Sequence, residues 1–250
     1  MILHHDTSTR TRSSHQSVLR SFANFNNRDT SLISLWAWKR AMKFYDCSTA
    51  PSARRVRIFM AEKGISIPTV QVDLRNGEQF SDAFRKVNPD CTVPVLELDD
   101  GTVIADAIAI YGYLEEIHPE PALIGTTPQE RAVTTALNRQ IERDGFYAAM
   151  DAFRNTTKGM KGRALPGPHD YEQIPELAAR GRLRVERFFR DMDGRLANCA
   201  FVGGARYTIA DISTMVLTDF AAWAKLIVPE ECANFRRWHA EVSARPSAKA

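Results

Sequence analysis

The sequence predicts an α/β unit over residues 42–122 followed by an all-helical unit over residues 129–250. Three observations predict it. Short β-prone runs alternate with helical stretches from residue 42 to about residue 118. Two prolines and a glycine then crowd residues 120–128, which reads as a linker. Beyond the linker, apolar residues recur at three- and four-residue spacing.

The elements follow in order. Residues 42–47 (MKFYDC) place Phe44 and Tyr45 in a short run suited to a strand. Residues 48–51 break it. From Ser52, the residues Val56, Phe59 and Met60 mark one helical face, and Gly64 is a glycine stop. Ile67, Val70 and Val72 supply a second strand, so strand, helix and strand predict a parallel β-α-β unit. A short helix is expected over 79–87, closed by Asn88-Pro89. After Pro94 the alternation Val95-Leu96-Glu97-Leu98 is a strand, Asp99-Asp100-Gly101 a tight turn, and residues 102–105 its return partner. A proline at the entry of such a strand is a candidate cis peptide. Asp106 opens a helix through Ile110, Tyr113, Leu114 and Ile117.

In the second unit, Val133, Leu137, Ile141 and Phe146 space a helix over 129–158. Residues 159–175 form a long loop rich in glycine and proline, and residues 176–196 a strongly charged helix with one solvated face. In FVGGARYTIADI, Thr208 and Asp211 have capping-box spacing ahead of the apolar run 212–217. Asp211 therefore reads as structural. Residues 232–246, with Trp238, close the chain.

Charge and composition exclude several classes. The net charge is +3, yet residues 1–41 hold six Lys/Arg against Asp6 and Asp29. The rest carries 27 basic and 28 acidic residues, a net of −1, which gives no electrostatic footprint for nucleic acid. No run of about 18 apolar residues predicts a membrane span. Cys47, Cys91, Cys199 and Cys232 show neither disulfide-framework nor zinc spacing, so no metal is expected and the thiols fit a reducing cytoplasm. Residues 1–41 are rich in Ser, Thr, Asn and Arg without a period, and lack an apolar signal core near the start. They are expected to be a poorly ordered extension, the folded body starting near Met42.

Four stretches together carry a family likeness: APSARRVRIFMAEKG, GEQF, NPDCTVPVLELDDG and ADAIAIYGYLEEIHP. They resemble the thioredoxin-like domain of cytosolic glutathione transferases, and the later capping box resembles that of the family's helical domain. The likeness spans residues 42 to about 246. It implies an α/β thioredoxin-like domain followed by an all-α domain, glutathione as co-substrate, a small hydrophobic electrophile as second substrate, and a homodimer.

The chemistry must hold an anionic tripeptide and favour its thiolate. A free thiol has a pKa of about 8.5, and lowering it by two units takes about 2.7 kcal/mol. The donor should lie between the first strand and first helix, where Thr49-Ala50-Pro51-Ser52 occupies the place of the two-cysteine motif of thioredoxin-like proteins. Ala50 argues against thiol–disulfide exchange. The resemblance selects Thr49 by one family pattern and Ser52 by another, with Ser48 a third candidate; each could also serve as a plain helix cap. It further implies backbone pairing of glutathione at Val93, held by a cis Pro94, with Thr92 as a neighbour. Asp106 would meet the γ-glutamyl ammonium, and Gln79 the glycine end. Where the family carries a serine, Ala107 leaves only its backbone N–H for the γ-glutamyl carboxylate. Tyr147, Met150, Phe153 and Trp223 are candidates for the electrophile pocket or plain core, while Arg139, Glu142 and Arg143 read as solvated charge. The expected function is a glutathione transferase, isomerase and peroxidase variants included; the alternative is a non-catalytic protein of the same fold acting through protein contacts.

Overall fold

The computed structural model describes residues 42–250. The extension expected over residues 1–41 lies outside the described residues. The first half runs β1 (Lys43–Asp46), α1 (Pro51–Lys63), β2 (Thr69–Gln71), a 3-10 turn (Glu78–Phe80), α2 (Asp82–Val87), β3 (Val95–Glu97), β4 (Val103–Ile104) and α3 (Ala107–Ile117). The sheet order is β2-β1-β3-β4, with β1 parallel to β2 and antiparallel to β3, and β4 antiparallel to β3.

Local chemistry explains the boundaries. Pro51 starts α1, where its missing N–H costs nothing, and Gly64 ends it at φ 65°, a left-handed conformation that glycine adopts without a Cβ penalty. Ser81 caps α2 by accepting the Phe84 N–H, and Asp106 caps α3 by accepting those of Ile108 and Ala109. The expected second strand is shorter than its apolar residues suggest. Thr69–Gln71 is an exposed edge strand, while the flanking Ile67 and Val72 are buried.

Alternate residues of β1 face opposite sides of the sheet. Phe44 enters the main core with Phe59 and Tyr111, whereas Tyr45 meets Phe84 of α2 at a centroid distance of 6.0 Å. The main core continues without interruption into the second half.

That half comprises α4 (Pro128–Ile141), a π-helical segment (Glu142–Phe146), α5 (Tyr147–Arg154), a 3-10 turn (Lys158–Met160), α6 (Pro175–Leu196), α7 (Ile209–Ala221), a 3-10 turn (Ala222–Ala224), α8 (Ala233–Ser243) and a last 3-10 turn (Pro246–Lys249). The single helix expected over 129–158 is thus interrupted by the π turn. The interruption sits where Gly145 packs so closely that a Cβ there would collide with Leu217 and press on Phe188. The capping box is present. Asp211 accepts from the N–H groups of Val202 (2.7 Å), Gly203 (3.3 Å) and Thr208 (3.0 Å), from the Thr208 hydroxyl (3.2 Å) and from Trp238 Nε1 (2.9 Å). One carboxylate thereby ties the entry of α7 to α8.

Ion pairs join the halves. Arg54 donates to Asp219 at 2.6 Å, Arg55 to Glu142 at 2.8 Å, and Arg245 grips Glu62 through two bonds of 2.7 and 2.6 Å. Lys63, its side chain fully covered, lies 2.7 Å from Glu115, which also accepts the N–H groups of Leu123 and Ile124. No helix among the described residues is long and apolar enough to cross a membrane.

Candidate active site

The sheet brings the candidate residues to one end. Tyr45 pairs with Val95, so the start of β3 lies beside the end of β1. Residues 92–94 therefore neighbour the loop 47–50 that leads into α1. Leu96 pairs with Ile104, so β4 ends at this same edge and delivers Asp106. Asp46 pairs with Gln71 in the parallel ladder, so β2 also ends here and leads on to Gln79. Across that end the order is the Gln79 segment, the α1 entry, the Val93-Pro94 segment and Asp106.

The entry to α1 is open. Ala50 occupies the N-cap and offers no side-chain cap, so neither Ser48, Thr49 nor Ser52 caps the helix. The first-turn N–H groups and the hydroxyls stay available together. Thr49 is exposed with its Oγ1 3.4 Å from the Cys47 sulfur, and Ser52 is half-buried. The loop beneath is braced from behind. Asp46, buried, accepts from Arg57 at 2.5 Å and from Gln71 Nε2 at 2.6 Å; Arg57 also donates to the carbonyls of Cys47 and Ser48, and Gln71 accepts the Ser48 N–H at 3.0 Å.

The Val93-Pro94 peptide is cis, as its position at a strand entry suggested. Asn88 steadies the approach through Nδ2 bonds to the Thr92 carbonyl (2.9 Å) and hydroxyl (3.1 Å). The register ends at Val95, so Val93 lies beyond the paired part of β3. Asp106 is exposed; its Oδ1 carries both capping bonds at 2.9 Å. Ala107 buries its methyl group at the first position of α3. Gln79 is buried, and its Oε1 has no partner among the described residues.

An aromatic cluster of the helical half reaches α1 through Phe146, whose ring centroid lies 4.5 Å from the Arg55 guanidinium and 5.7 Å from the ring centroid of Phe220. Phe153, Phe220 and Trp223 pack edge to face at centroid distances of 5.4–5.7 Å. The Arg54–Asp219 pair fixes the first turn of α1 beside Phe220. Tyr147 is 44% and Trp223 52% exposed, so these two are not core residues. Met150 and Phe153 are partly buried and pack on the core edge.

Glu142 corrects the expectation of solvated charge. It is buried and accepts from Arg55 at 2.8 Å and from Arg139 at 2.9 Å, while Arg55 lies 4.5 Å from the Phe146 ring centroid. Arg139 and Arg143 keep exposed side chains. The Tyr111 phenol nearby is pushed up by burial and stays protonated. Neither the Arg55–Glu142 pair nor the Asp46–Arg57 brace was visible in the sequence, because the first joins residues 87 positions apart and the second joins a strand end to a helix across the loop between them; the local signal was the density of arginine in residues 53–57, which reads equally as a solvated face.

No group of three or more His, Cys, Asp or Glu residues among those described is placed to hold a metal. A pocket of about 350 Å³ lies between residues 122–134 and 203–208, lined by none of the candidate residues.

Comparison with known proteins agrees with this geometry. The chain matches the family described as glutathione S-transferase, N-terminal domain over residues 49–117, and glutathione S-transferase, C-terminal domain over residues 145–246. It is 36% identical over 214 residues to glutathione S-transferase 2 of Saccharomyces cerevisiae, spanning 84% of this chain and 89% of the yeast protein. Among solved structures, a glutathione S-transferase domain-containing protein from Marinobacter aquaeolei VT8 is 37% identical with a TM-score of 0.76, covering 82% of this chain and 98% of that one. Gtt2 from Saccharomyces cerevisiae is 34% identical at the same TM-score, covering 83% and 98%. With both domains matched in order on a thioredoxin-like sheet carrying helices and an all-helical second half, the chain belongs to the glutathione S-transferase family.

Proposed function

We propose that this chain binds glutathione across the end of the sheet and activates its thiol at the entry of α1 for attack on a hydrophobic electrophile. The observation that carries the reading is the first turn of α1, which no side chain caps, with Thr49 and Ser52 flanking it at the sheet end that also carries the cis Val93-Pro94 peptide. In this reading Val93 pairs with the cysteinyl backbone, Thr92 orders that segment, Asp106 receives the γ-glutamyl ammonium, the Ala107 N–H meets the γ-glutamyl carboxylate, and Gln79 approaches the glycine end. The sulfur then faces N–H groups and a hydroxyl from Thr49 or Ser52. One hydrogen bond to a charged sulfur contributes about 1.5–3 kcal/mol and a helix N-terminus about 0.3–1 kcal/mol. Together they match the roughly 2.7 kcal/mol needed to lower a thiol pKa by two units. The thiol proton leaves to solvent, and the thiolate attacks an electrophile lying on Tyr147, Met150, Phe153 and Trp223.

The reading extends to a cytoplasmic homodimer. All four cysteines are free thiols, which suits a reducing compartment, and paired identical subunits are the commonest oligomer. A light-scattering mass of one chain at micromolar concentration would contradict the dimer. The catalytic reading is tested with immobilised glutathione followed by an aryl-halide conjugation assay. Retention with turnover supports it; failure to bind glutathione overturns it.

A further inference from the structure

The long loop between α5 and α6 is a built strap. At its base, Asn155 Oδ1 accepts the Ile174 N–H at 2.9 Å, and Gln173 Nε2 donates to the carbonyls of Arg154 (2.7 Å) and Thr157 (2.8 Å). Inside it, Ala164 donates its N–H to the Tyr171 carbonyl and Tyr171 donates its own to that of Gly162. Arg154 reaches up to the carbonyls of Arg163 (2.7 Å) and Leu165 (3.0 Å). Such bonds hold the backbone of the strap in one course.

That course runs to the first half of the chain. The Arg163 guanidinium lies 5.0 Å from the ring centroid of Phe80, the residue after Gln79. A Cβ placed on Gly167 would come within 3.8 Å of the Asp90 carbonyl. The strap thus approaches two segments, 78–80, which follows the β2 edge, and 88–91, which leads into the cis-proline segment.

The charges there are unbalanced. Arg54, Arg55 and Arg57 of α1 each have a carboxylate within 2.8 Å. Arg154 and Arg163 have none within ion-pair distance among the described residues. Arg154 bonds only to carbonyls among the described residues, with its Nε unpartnered, and burial together with the Arg163 charge lowers its pKa. Among the described residues the Arg163 side chain makes no hydrogen bond, and its guanidinium rests over the Phe80 ring. Two uncompensated guanidinium groups favour an anion.

Topology says which anion. Asp106, an anionic group at the β4 edge, suits an ammonium. The α1 entry, where the thiol is placed, lies toward the middle of the sheet end. A tripeptide extended from Asp106 across that entry points its last residue to the β2 edge, where Gln79 and the strap lie. We propose that Arg163, carried by the strap of the helical half, binds the glycyl carboxylate of glutathione. The inference rests on the glutathione site proposed above.

The test compares glutathione with its glycyl monoethyl ester, which keeps the peptide and removes the carboxylate charge. Calorimetric titration of the full chain should show the ester binding about ten- to a hundredfold more weakly than glutathione, the range of one charge-assisted hydrogen bond. In Arg163→Gln, glutathione should fall to the level of the ester while the ester is unchanged, with the thermal melt unaltered. Equal weakening of both ligands would mean that the strap only shapes the fold, and would overturn the proposal. So would wild-type discrimination retained in Arg163→Gln. A wild-type chain that binds neither ligand would overturn the glutathione site itself, and this assignment with it.

Discussion

Asp106→Asn separates a cap from a ligand. Asp106 uses one oxygen, Oδ1, for both capping bonds to Ile108 and Ala109 at 2.9 Å each. An asparagine can present its carbonyl oxygen to the same two N–H groups, and Asn and Asp are nearly equal as N-caps. What the variant loses on folding is the favourable meeting of a negative charge with the helix start, about 0.3–1 kcal/mol at an exposed position. On binding it loses more. The second oxygen, Oδ2, carries no bond among the described residues and is the one that the site proposed above assigns to the γ-glutamyl ammonium. Replacing that carboxylate by an amide removes a charge-assisted bond of about 1.5–3 kcal/mol, so affinity for glutathione should fall about ten- to a hundredfold. Asp106→Ala is the control: it deletes the cap too, and should cost about 1 kcal/mol of stability on top of the same loss of affinity. Calorimetric titration with glutathione beside a thermal melt reads both quantities. If Asn binds as well as wild type, or if melting collapses while affinity holds, Asp106 only caps the helix and the orientation of the tripeptide is wrong.

Thr49→Ala and Ser52→Ala, compared by ultraviolet titration of the bound thiolate, should differ: the variant lacking the sulfur's donor raises the thiol pKa by about one unit and lowers kcat about tenfold, since one unit is about 1.4 kcal/mol. Silence in both would assign the role to the backbone N–H groups of α1. Asp211→Asn should lower stability by about 3 kcal/mol or more in urea unfolding, because the amide turns donors toward a site where five donors already converge on the carboxylate; a loss under 1 kcal/mol would remove Asp211 as the tie between α7 and α8. Glu62 gives a pH signature. Burial alone would raise its carboxyl, but bonds from Arg245 and Ser247 and the Arg245 charge bring it below its ordinary 4.5. A depressed carboxyl contributes stability that is full above its ordinary value and is lost as pH falls through the folded value. The stability advantage of wild type over Glu62→Gln should therefore shrink as pH is lowered from about 5 toward 3; an advantage independent of pH would refute the ion pair.

The parts of this fold that were legible in the sequence are those written locally. Pro51 and Gly64 bound α1, Asp106 opens α3, and Thr208 with Asp211 spells a capping box, because a helix end is satisfied by side chains within three residues of it. The cis peptide was legible as a proline at a strand entry. The π turn was not: it sits where Gly145 packs against Leu217, a residue more than seventy positions away. Nor was the course of the strap, whose glycines and prolines announced a loop but not where it leads. Around the candidate site, Asp106 was legible as a helix opener, whereas the buried state of Glu142 was not, because its partner Arg55 lies on another helix.

Those distant partners share one feature: they converge on α1. Arg54 reaches α7, Arg55 reaches the π turn, and Arg57 reaches β1, so three side chains within four positions bind the helix on three sides. Stability alone is a poor reason for such an arrangement. Taking an arginine and a glutamate out of water costs several kcal/mol per ion, and apolar residues of similar volume often hold a core as well or better. Apolar contacts, however, fix a helix against sliding and rotation less sharply than directed bonds do. The end of α1 held by these arginines is the end whose N–H groups and hydroxyls are left uncapped. A displacement of about 1 Å at a reacting sulfur is enough to cost about a hundredfold in rate. The Asp46–Arg57 bond sets the loop before the helix, Arg54–Asp219 sets its first turn beside Phe220, and Arg55–Glu142 sets the second turn against the segment that presents Tyr147. On the glutathione site proposed above, the ion pairs of α1 hold its uncapped start in register with α7 and the π turn, a directed constraint added to the apolar core that already runs through both halves.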